Sequence, residues 1–94
     1  METKPIMSQE MEIGAKVIGQ VVIEATKVCN QISESAADNS KELVNLVMGR
    51  CEVFKAEILA IVGCEVNLEQ KTAMMETERE AACDYFNSIL AQIC

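Results

Sequence analysis

An all-α fold, a helical hairpin or a three-helix bundle that oligomerises, is what this sequence predicts, and three observations predict it. Apolar residues recur at helical spacing along most of the chain. Aromatic residues and proline are scarce: the aromatics are Phe54, Tyr85 and Phe86, Pro5 is the single proline, and Trp and His are absent. One polar run, Ser33 to Ser40, is the clear interruption. The 94 residues make one helical domain over 1–94, of a size at which core burial is only just sufficient and partners add stability.

The first helix is expected over about 8–32. Ser8 can cap it, and Gln9 and Glu10 open its first turn with a favourable negative charge. Met11, Ile18, Ala25 and Ile32 form one apolar row, Val21 and Val28 a second, and Ala15, Val22, Cys29 and Ala36 a third. Together they make a broad stripe of the kind a bundle helix buries. Gly14 and Gly19 each cost about 1 kcal/mol of helix propensity, so packing has to hold this helix together.

The second helix is expected over about 40–62, after the polar run. Asn39 and Glu42 have the spacing of a capping box. The Asp38-Asn39-Ser40 triplet does not continue as a calcium loop, since Leu43 stands where such a loop needs glycine. Val47, Phe54, Ile61, Leu68, Met75, Ala82 and Ile89 then keep strict seven-residue spacing, and Val44, Cys51, Ile58, Phe86 and Ile93 fill much of the companion row of a coiled coil. Glu65, Thr72 and Arg79 break that companion row, which argues against a regular two-stranded coil.

A third helix over about 67–92 is either separate from the second or continuous with it. Gly63 marks the expected break, with Asn67 as the next cap and Gln70 at the matching position. An unbroken helix from Lys41 to Gln92 would run to roughly 78 Å at about 1.5 Å per residue, a length rare in small domains. The middle helix is apolar around most of its circumference, with a polar strip at Glu42, Asn45, Gly49 and Glu52 that ends at Ala56. Such a helix has to be covered on several sides, either as the central core helix of a three-helix monomer or, the favoured expectation, by burial between subunits. The expected interface residues are Val47, Phe54, Ile58, Ile61, Val62, Leu68 and Met75.

The net charge is −7, and the eight Lys and Arg residues are scattered from Lys4 to Arg79. Direct nucleic-acid binding is therefore not expected. Ile58 to Val62, the richest apolar stretch, is too short to span a bilayer, and the first residues lack the basic start and apolar run of a signal peptide. Cys29, Cys51, Cys64, Cys83 and Cys94 are odd in number and irregularly spaced, with no Cys-x-x-Cys pair, as in a reduced, cytoplasmic protein with thiols in its core.

Nothing in the chain points to catalysis. Without histidine the thiols and hydroxyls lack their usual base, and no nucleophile elbow, phosphate loop or dinucleotide fingerprint occurs. Glu76 with Glu80, and Glu65 with Glu69, are spaced one helical turn apart, but carboxylate di-metal bundles also need Glu-x-x-His pairs. The expectation is a non-enzymatic structural or assembly protein without metal or cofactor, whose partner is another copy of itself. The alternative is a small acidic binding module, an inhibitor or adaptor, that docks a basic site on another macromolecule. Its surface would be Glu65, Glu69, Glu76, Glu78, Glu80 and Asp84, in a stretch that Lys71 and Arg79 balance only in part.

Overall fold

The polar run and the Gly63 region both interrupt the chain, and a computed structural model, which describes residues 9–35 and 37–93, is accordingly three helices. They are α1 (Gln9–Ser35), α2 (Ser40–Val62) and α3 (Leu68–Leu90), with no strand among the described residues. Short linkers make the three run up, down and up, and every pair is in contact, α2 with α3 least.

Each boundary has a local cause. The proposed cap at Ser8 lies outside the described residues. α1 continues one turn beyond the expected residue 32, to Ser35. There the Ser35 hydroxyl donates to the Ile32 carbonyl at 2.6 Å and accepts the Ala37 N–H at 3.3 Å, competing with the backbone bonds that would extend the helix. The capping box expected at Asn39 does not form, because the Asn39 side chain makes no cap hydrogen bond. A tight backbone turn replaces it, with Ser40 N–H donating to the Ala37 carbonyl at 3.1 Å.

The break between α2 and α3 falls where Gly63 and Asn67 place it. Gly63 has φ −88° and ψ −1°, open to any residue, so its use here is not the left-handed helix end that favours glycine. Asn67 is a true cap: its Oδ1 accepts the Gln70 N–H at 2.7 Å. The seven-residue row is thus divided between two antiparallel helices of one bundle and does not form one long coil.

The core follows one line on each helix: Val17, Val21, Ala25, Val28 and Ile32 from α1; Leu43, Val47, Cys51, Phe54, Ile58 and Ile61 from α2; Met75, Ala82, Phe86 and Ile89 from α3. Val17 belongs to this line although no apolar row of the sequence included it. Along the α2–α3 contact Phe54, Tyr85 and Phe86 pack as tilted and edge-to-face pairs with centroids 6.0–6.4 Å apart. At one end of the bundle α1 and α2 approach so closely that a Cβ on Gly14 would stand 2.7 Å from Val62 Cγ2. A Cβ at this position would force the Val62 side chain to move, so the contact favours glycine.

The two kinds of glycine give opposite expectations. Gly49→Ala, where an added Cβ meets nothing within 4 Å, should stabilise the chain by about 0.5–1 kcal/mol in denaturant titration. Gly14→Ala should gain less or destabilise, since the stiff Val62 side chain has to move. In a Val62→Ala background the two substitutions should become equivalent. Equal gains in the parent chain would show that the Gly14 contact is not tight.

Candidate functional site

The residues expected at a subunit interface pack inside the single chain. Val47, Phe54, Ile58, Ile61 and Met75 are all buried in its core, and Val62 and Leu68 are partly buried. They cover one another because α1 packs more extensively than expected: it lies against both other helices, so the middle helix is not the central one. A charge at Ile61, which is 8% exposed, would strike the fold itself and could not report on an interface.

The apolar surface that remains lies elsewhere. α1's stripe is wider than its line of core residues, and the surplus turns toward the outer side of the α1–α2 seam. Met11, Gly14, Ala15, Ile18 and Gly19 of α1 face Leu59, Val62 and Gly63 of α2 across a groove of about 530 Å³. Met11 is 51% and Leu59 61% exposed. Val22, one turn beyond Ile18, carries the apolar strip further along the same flank, Met48 lies three turns before Leu59, and both are exposed. Gly19 lines the groove as open surface, since a Cβ there would meet nothing within 4 Å. Lys55 and Glu52, which separate Leu59 from Met48 on this face of α2, pair with each other at 3.1 Å.

The acidic residues expected on one surface divide into three sets. Glu69, Glu76, Glu80 and Asp84 follow one another at seven- and four-residue spacing on α3, away from α2, and Glu76 is held by Arg79 at 2.7 Å. Glu65 is exposed in the linker before α3. Glu78 turns the other way, into a groove of about 390 Å³ between α2 and α3 lined by Glu57, Ala60, Ile61, Met74, Thr77 and Glu78. Burial, and then the hydrogen bond and charge of Glu57, push the Glu78 carboxyl above the ordinary range, while Arg50 pulls it down. Arg50 itself lies over the rings of Phe54, at 5.0 Å, and Tyr85, at 5.4 Å.

Glu57 and Arg50 were missed in the sequence. Their spacing with Phe54, at i, i+4 and i+7, puts the three on one flank of a helix, but nothing in α2 alone says that an acidic residue of α3 will face them. Burial raises the thiol pKa of Cys29, Cys51 and Cys83 above the ordinary value, so these sulfurs are weaker nucleophiles than a free cysteine. Among the described residues, no group of three His, Cys, Asp or Glu side chains is placed to hold a metal ion, and no helix is long and apolar enough to cross a membrane.

The Glu57–Glu78 pair makes stability depend on pH with a definite sign. A carboxyl whose folded pKa is raised binds its proton more tightly in the folded state, so stability at this site increases as pH falls through the raised value and is lost as pH rises through it. Glu78→Gln should therefore raise the thermal midpoint at neutral pH and flatten the stability profile in mild acid. An unchanged profile, recorded by circular dichroism melts across that range, would show that neither burial nor Glu57 raises the Glu78 carboxyl in the folded chain.

Comparison of the chain with protein-family models, with curated proteins and with solved structures gives no match, so the functional reading rests on the geometry above.

Proposed function

We propose that this chain is a non-enzymatic assembly module that pairs with a second copy of itself through the α1–α2 face. The observation that carries this reading is the apolar groove with Leu59 on its α2 wall and the small residues Ala15 and Gly19 on its α1 wall. A two-fold interface uses the same patch twice, so the patch has to carry both a projection and a recess that fits it. Leu59 and the groove supply the two: each copy's Leu59 enters the other's groove, and the small residues Ala15 and Gly19 let the α1 backbones come close.

Charge supports the same face. A protein of net charge −7 repels its copies wherever its acidic residues are exposed. The outer row of α3 is such a region, whereas along the α1–α2 strip Lys55 and Glu52 compensate each other. Exposed apolar side chains scattered singly are ordinary on any protein, but the lined groove, continued on α1 by Val22, gathers several of them at one place.

Sedimentation at micromolar concentration tests the proposal. The parent chain should run as a dimer that persists in added salt, as an apolar contact does. Leu59→Glu should give a folded monomer with unchanged helix content, because the site is largely exposed within the chain. Leu46→Glu, at an exposed apolar site on the α3 side of α2, should leave the dimer intact. A mass of one chain throughout the concentration range, or dissociation by both substitutions alike, would reject the α1–α2 interface.

A further inference from the structure

We propose that the groove between α2 and α3 is a second docking surface, which takes a basic amphipathic helix of another protein and seats one of its lysine or arginine side chains between Glu57 and Glu78. The floor is apolar where Ile61, Ala60 and Met74 line it, and the carboxylates stand on opposite walls, one from each helix. A long basic side chain matches both parts, since its methylene stem lies on apolar surface while its charged head reaches an acceptor. A groove between two helices also has the form into which an amphipathic helix lays its apolar face.

Charge identifies the occupant. Among the described residues neither Glu57 nor Glu78 forms an ion pair within 4.0 Å. The groups that face Glu78 are Glu57 and Arg50 of α2, so two carboxylates share one guanidinium, and that guanidinium is engaged by the rings of Phe54 and Tyr85. Arg50 also shows that this side of the bundle accommodates a cation on an aromatic and acidic surface. A second cation at the groove removes the repulsion that the free chain bears, and it does so at a partly desolvated position where a charge pair counts for more than on open surface. A copy of this chain is a poorer occupant, because its net charge opposes an acidic groove. This surface is distinct from the α1–α2 face, so either can fail without the other.

The test uses the full chain and a synthetic amphipathic peptide of leucine and lysine, with a leucine–glutamate peptide as control. The lysine peptide should bind, more weakly as salt is raised, and should shift amide resonances at Ala60, Met74 and Thr77, while the control should not bind. Glu57→Gln/Glu78→Gln should weaken binding by about tenfold or more, whereas Glu69→Gln/Glu80→Gln, which changes the net charge equally on the outer row, should change it less than about twofold. Leu59→Glu should leave peptide binding unaltered. Equal losses from the two glutamine pairs would reduce the effect to general attraction by an acidic protein and overturn the proposal. Failure to bind, or a dimer that dissociates with Glu57→Gln/Glu78→Gln, would overturn it as well.

Discussion

Lys71 is the one charged side chain buried among the described residues, 7% exposed, and the arrangement of all three helices depends on how it is satisfied. Removing an ammonium group from water costs several kcal/mol unless it gains hydrogen bonds and an opposite charge. Its Nζ donates to the Val62 carbonyl at 2.7 Å, one of the orphan acceptors at the end of α2, and stands 3.8 Å from the Glu10 carboxylate at the start of α1. A cation at a helix C-terminus is favourable in its own right. One side chain of α3 thus ties the end of α2 to the start of α1. Gly14 lies at the same end and lets Val62 come close enough for the tie to be made.

With the three helices fixed there, the direction of each is set, and so is the share of its circumference that the core can use. α1 becomes the common wall. Its core line through Val17, Val21, Ala25, Val28 and Ile32 is narrower than its apolar stripe, so Met11, Ile18 and Val22 are left on the flank toward α2. The same constraint brings α2 and α3 together less closely than either meets α1, which leaves the shallow seam where Glu57 and Glu78 face one another. The two grooves are consequences of one packing solution: a wide stripe on α1 opens one, and a thin contact between α2 and α3 opens the other.

The sequence was most informative where a signal is local and least where it depends on which helix stands opposite. The helices, both interruptions and the Asn67 cap could be read from spacing and side-chain chemistry, because a cap bonds within three residues of itself. Asn39 has the same signature and no cap bond, since the turn from Ala37 to Ser40 satisfies the backbone first. Apolar periodicity placed Val21, Ala25, Val28 and Ile32 in the core, but it missed Val17, included the exposed Met11, Ala15 and Val22, and could not say what would cover the rows of α2 and α3. Val47, Phe54, Ile58 and Met75 fit an interface between copies or a core within one chain equally well in sequence, and the wide α1 stripe is what supplies the cover. The acidic stretch failed as a single surface for a related reason: Glu78 is two residues from Glu76 and Glu80, and two residues turn a side chain to nearly the opposite side of a helix.

That last displacement has a physical consequence for how an acidic protein uses its charge. Glu69, Glu80 and Asp84 are exposed to water, where their repulsion is screened within about 10 Å at ordinary salt and chiefly keeps copies apart. Glu78 is removed from that solvated row and set against Glu57 in a seam that is partly apolar, where the same charge is screened less and costs the folded chain more. A glutamine at either position would keep the hydrogen-bonding capacity without the repulsion. A conflict of this kind weakens the fold locally and is offset by the core elsewhere, as strained groups at binding surfaces commonly are. The apolar α1–α2 face and the acidic α2–α3 seam therefore differ in what would drive the contact proposed at each: burial of surface at the first, relief of repulsion at the second. Because the first is insensitive to salt and the second is not, ionic strength would act on one contact while leaving the other in place.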